Sequence, residues 1–170
     1  MRIFAAICLL GLFDWPANGI LSQASKQQPS SGSGHKNSET HQYRNSKYGF
    51  TFLLPATWKG CEIVEDKWSG YTETERGEET VERGPAIRIV NPRSKESDQY
   101  GDIYIMIFTH KQWDSLQEGK FVVSAASIGP VELDRNAKYV FVEPPRMINP
   151  DLKGAEEIES IMKGNPLHAF

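Results

Sequence analysis

His110 and Asp114 stand four residues apart in "THKQWDSLQ". On a helix that spacing puts both on one face, where an imidazole and a carboxylate can form a proton-relay pair. Such a pair needs a nucleophile. No GxSxG elbow occurs, and Ser115 follows Asp114 without a base directed toward it. A metal site there would need a third ligand, and the spacing offers none. The pair therefore reads as a surface feature of a helix start. A hydrolytic or metal-assisted enzyme centred on His110 stands as the alternative, and no catalytic residue or metal ligand is assigned.

Other groups invite the same weighing. Between Glu73 and Glu82 lie Glu73, Glu75, Glu78, Glu79 and Glu82, with Arg76 among them and Arg83 beyond. The run lacks the Asp-x-Asp-x-Asp-Gly spacing that sets oxygens around calcium. It reads as a charged loop or hairpin tip that discourages edge pairing. Trp58, Trp68, Tyr71 and Trp113 can line a ligand groove or fill a core. Trp68 and Tyr71 are the better surface candidates, because "DKWSGYTE" flanks them with polar residues. Arg135, in the turn "LDRNAKY", can clamp a carboxylate or cap that turn electrostatically. The binding candidates are thus Trp68, Tyr71 and Arg135. "SIGP" at 127–130 is a turn and not a phosphate loop, and no motif implies a cofactor.

Bulk properties limit the classes. The chain has 170 residues, 39% hydrophobic and 24% charged, which favours one domain with appendages. A net charge of −3 supplies no basic field for a nucleic acid backbone. The N-terminus places Arg2 before an apolar run, Ile3 to Phe13, of about 11 residues, the length of a signal-peptide core and too short to span a bilayer. Small residues mark two cut sites, after Gly19 and, slightly favoured, after Ala24. An uncleaved anchor is the alternative. Cys8 lies inside the run, between Ile7 and Leu9, which does not fit lipidation. Removal of residues 1–24 leaves Cys61 as the lone cysteine, either a reactive thiol, a dimer link or, as favoured, a small buried apolar group. The expectation is a secreted or periplasmic protein with no membrane span after signal removal.

Residues 25–42 are polar, hold His35 and His41, and read as a flexible leader whose histidines are solvated. The folded domain is expected over 43–170, roughly 125 residues with one core. Tyr48, Phe50, Phe52 and Leu54 alternate as a strand that Pro55 ends. "GCEIVEDKWSGY" and "AIRIVNP" predict two more, the latter with Ile87 and Ile89 inward. Ile103, Ile105 and Ile107 oppose Tyr104, Met106 and Phe108, and Tyr139 and Phe141 oppose Val140 and Val142. Both faces of these strands are apolar, so layers must cover both. "KFVVSA" predicts another strand.

Two helices are expected. Thr109 with Gln112 forms a capping box for the first, Trp113 and Leu116 make its buried stripe, and Glu118–Gly119 ends it. The second is expected from Asn149 as N-cap and Pro150 at its first position, with Leu152, Ala155, Ile158 and Met162 as its stripe and Gly164 as its cap. Connections too short for crossovers make the sheet largely antiparallel. The class is α+β, a twisted sheet sandwiched by helices.

"YRNSKYGFTFLLPATWKG" carries Tyr43, Tyr48, Gly49, Phe50, Phe52, Pro55 and Trp58 in an order that resembles the start of PsbP-like domains. The resemblance implies an exported α/β/α sandwich on an antiparallel sheet. "DIYIMIFTHKQWDSLQ", "SAASIGPVELDRNAKYVFVEPPR" and "GNPLHAF" look like segments of a group of exported bacterial proteins without an assigned activity. The functional histidines and lysine patches of plant PsbP subunits have no counterpart here, so only the fold carries over. The expected role is a non-enzymatic exported domain that binds a protein partner or envelope component. A small-ligand carrier is the further alternative, and it requires an apolar cavity between sheet and helix.

Overall fold

The computed structural model describes residues 40–146 and 151–170. The order is β1 (Thr40–Asn45), β2 (Phe50–Pro55), a 3-10 turn at Ala56–Trp58, β3 (Ile63–Thr74), β4 (Gly77–Ile89), β5 (Ile103–Thr109), α1 (His110–Gln117), β6 (Val131–Arg135), β7 (Tyr139–Glu143), α2 (Ala155–Lys163) and β8 (Leu167–Ala169). Every pairing between these strands is antiparallel. They make a small sheet, β1-β2-β8, and a large one, β3-β4-β5-β7-β6. The α+β class and the antiparallel order are those expected. The predicted signal segment and most of the leader lie outside the described residues, whereas Thr40–Gln42 already pair as part of β1, ahead of Tyr43.

Period-two alternation in β5 and β7 builds two cores. On one face of the large sheet, Ile87, Ile89, Ile103, Ile105, Ile107 and Phe141 meet Phe50, Phe52, Leu54, Trp58 and Leu167. The small sheet therefore covers this face, and the Phe50 and Phe141 rings lie 4.9 Å apart across the layer. Ile158, Ile161 and Met162 of α2 extend the same cover. On the opposite face, Ala86, Met106, Phe108, Val140 and Val142 meet Trp113 of α1 and Phe121. The layers are thus a helix on one side and a small sheet with a helix on the other.

Local signals explain the helices in part. Thr109 Oγ1 accepts from Gln112 N while the Gln112 side chain returns to the cap, the reciprocal box the sequence predicts. The second helix starts later than expected. Gly154 sits at φ 80° as its N-cap, a left-handed residue that cannot lie within a right-handed helix. Leu152 therefore falls before α2, and the expected cap at Asn149 and Pro150 lies outside the described residues. Gly164 is the C-cap as expected, while the left-handed turn is taken by Asn165 at φ 50°. "KFVVSA" forms no named strand. Phe121 plugs the core and Val122 makes a single bridge to Tyr71, because side-chain insertion fixes this segment more than a ladder does.

Candidate functional site

A groove opens where α2 approaches the large sheet. Ile103 at the start of β5 and Glu143 at the end of β7 line it, Ile158 and Met162 come from α2, and Leu152 lies just before that helix. Ile128 completes the wall, held by backbone bonds to Arg146 (Arg146 N to Ile128 O, 3.1 Å). The hollow has a volume of about 500 Å³. A second hollow of about 270 Å³ adjoins it and shares Glu143, Arg146, Glu159 and Met162. The size and lining, apolar walls with a few charged groups, fit a small-molecule site.

Several contacts seat α2 over this groove. Thr57 Oγ1 donates to Glu157 Oε1 at 2.7 Å, and the Arg93 guanidinium pairs with the other Glu157 oxygen. Gly101 N donates to Lys153 O at 2.9 Å. Gly101 also has to be small, since a Cβ there would stand 2.8 Å from Ile158 Cδ1.

Glu143 is the groove's distinctive group. It is only 7% exposed, continues the inward face of Tyr139 and Phe141, and its Oε1 lies 3.2 Å from Arg146 Nε. Burial pushes its carboxyl up from the usual range, Arg146 pulls it back, and Glu159 adds to the rise. Glu159 itself bonds Lys163 at 2.9 Å, which holds its carboxyl low. Asp102 also lines the groove, with Oδ1 accepting from Asn91 N at 2.8 Å and Oδ2 facing Arg88 at 3.4 Å.

The residues singled out from sequence lie elsewhere. Trp68 is not a surface group but a buried one, 4% exposed. Its indole stacks on Phe108 with centroids 4.1 Å apart and on Phe121 at 6.1 Å, and Nε1 donates to Ile107 O at 2.8 Å. The polar flanks misled because Gly84 pairs with Trp68 across β3 and β4, leaving space where the ring lies over the neighbouring strand. Tyr71 is half-buried in β3 and exchanges backbone bonds with Val122. Arg135 is held by Glu132 through Nε at 2.6 Å and through Nη2, so its guanidinium serves its own strand. It lies on β6, the opposite edge of the large sheet from β3, so the three candidates do not converge.

The remaining candidates have structural partners. His110 Nε2 bonds Asn136 O at 2.8 Å, tying α1 to the β6–β7 turn, while Asp114 is exposed. Trp58 and Trp113 are core. The acidic run belongs to the long β3–β4 hairpin, where Glu82 accepts from Gln112 Nε2 at 3.0 Å. Cys61 is half-buried against the core, and burial pushes its thiol up, away from a reactive thiolate. His41 is exposed in β1, and His35 lies outside the described residues. Among the described residues, no group of three or more His, Cys, Asp or Glu side chains is placed to hold a metal ion, and no helix is long and apolar enough to cross a membrane.

Sequence reasoning missed Glu143, Arg146 and Ile128. The available signal was the parity of "YVFVE", which puts a carboxylate at an inward position after Tyr139 and Phe141. In comparisons with known proteins, no family model, curated protein or solved structure matches this chain.

Proposed function

We propose that the chain is an exported, PsbP-like binding domain that holds a small amphipathic ligand in the groove beneath α2. One observation carries the reading. Of the six large apolar side chains most exposed among the described residues, Ile128, Leu152 and Val131 all border this groove or its adjoining hollow. Clustered exposed apolar groups mark binding surfaces, whereas scattered ones do not. The apolar run from Ile3 to Phe13 supports export, and the order from Tyr43 to Trp58 supports the PsbP-like assignment.

A neutral apolar fluorescent dye tests the reading. The full chain is expected to bind it, and Ile128→Asp and Leu152→Asp each to weaken binding about tenfold, roughly the loss of one buried apolar side chain. Val81→Asp, on β4 and lining neither hollow, is expected to leave binding unchanged. Equal dye affinity in all three variants would exclude the groove.

A further inference from the structure

We propose that the ligand is a small primary amine with an apolar body, its ammonium held by Glu143 and its body lying on Ile103, Ile158 and Met162. This rests on the groove being the binding site.

Charge complementarity selects the cation. The larger hollow is lined by three carboxylates, Asp102, Glu143 and Glu159, and one guanidinium, Arg146. Asp102 faces Arg88 at 3.4 Å and Glu159 bonds Lys163, which leaves Glu143, the buried one, as the acid that a ligand meets beside Arg146. The smaller adds Glu132, which engages Arg135, and Lys163, which engages Glu159. A carboxylate ligand seeking Arg146 would enter beside Glu143 and Glu159 and be repelled by both. An ammonium meets a buried acid with a second acid close by, and charge-assisted hydrogen bonds to carboxylates are the strong ones.

Arg146 does not stand in the way. It reaches Glu143 at one oxygen through Nε, and its side chain is 43% exposed, so water can take it up when another cation arrives. The Glu143 side chain is 9% exposed and has no such freedom. An acid at this depth is costly unless its charge is matched. The volume of about 500 Å³ suits a small molecule rather than a folded partner.

Calorimetric titration of the full chain with n-octylammonium, octanol and octanoate, at neutral pH and low salt, tests this. The ammonium is expected to bind about tenfold or more tightly than octanol, with octanoate weakest. Glu143→Gln is expected to bring the ammonium down to the octanol affinity and leave octanol unchanged. Glu159→Gln, on the exposed helix, is expected to reduce the preference by a smaller factor, and it serves if the first variant does not fold. Octanoate binding as tightly as the ammonium, or an unchanged ammonium affinity in both variants, would overturn the amine while leaving the groove. Binding of an acetylated Lys-Leu peptide in place of free octylammonium would overturn the choice of a small molecule. If none of the probes binds, the groove itself is refuted, and the amine with it.

Discussion

Glu143 occupies a position in β7 where alternation calls for an apolar side chain, and its chemistry shows in the pH dependence of folding. Burial, opposed by Arg146 and reinforced by Glu159, raises its carboxyl in the folded state. The folded protein thus holds this proton more tightly than the unfolded chain. The stability this contributes is full below the unfolded carboxylate range and is lost as pH rises through the higher folded value. Glu143→Gln keeps a neutral group at every pH. It is expected to be more stable than wild type at pH 7 and to lose that advantage below about pH 4, read from thermal melts across the series. Asp102, Glu132, Glu159, Arg146 and Lys163 share the groove and remain in both proteins. Trp68 gives a second residue-scale expectation. As core, Trp68→Ala costs about 3–5 kcal/mol in urea unfolding, whereas a surface recognition residue would cost almost nothing. His110→Ala removes one tie to Asn136 O and is expected to cost about 1 kcal/mol without changing ligand affinity.

Elements reveal where sequence reading works and where it stops. The strands β2, β5 and β7 were legible because β2 carries an apolar residue at every second position, the mark of one inward face, while β5 and β7 are near-continuous apolar runs, the mark of a strand covered on both faces. The cap of α1 was legible because Thr109 and Gln112 are three residues apart. β1 and β6 were not, since their mostly polar sequences carry too few apolar residues to mark a period, and neither was β8, three residues long and defined by a partner distant in sequence, as when Leu167 pairs with Phe52. The start of α2 was displaced because Asn149–Pro150 is a sound helix signal, and only Gly154's left-handed backbone overrides it. Gly84 belongs to this scale too. A Cβ there would stand 2.4 Å from the Trp68 ring. Gly84→Ala is expected to cost about 1–3 kcal/mol and to shift the near-ultraviolet circular dichroism of the Trp68 stack. An unaltered spectrum with unaltered stability would contradict the cross-strand seat of the indole.

At the scale of the whole molecule, the groove arises from four segments that no local pattern joins. The stripe of α2 was readable, with Ile158 and Met162 in it, whereas an apolar space between sheet and helix entered only as what a small-ligand carrier would require. What closes the wall was not readable. Ile128 reaches Arg146 through backbone bonds across 18 positions, and Asp102 arrives from the start of β5. The aromatic residues drew attention instead, because large side chains serve cores and binding sites alike and their neighbours in sequence do not distinguish the two. The most direct measurement is a methyl-resolved NMR titration of the full chain with n-octylammonium. Shifts are expected at Ile103, Ile128, Leu152, Ile158 and Met162, saturating together with one affinity. Shifts centred on the Met106 and Val142 methyls of the Trp68 face, or none at all, would contradict the groove as the site of function.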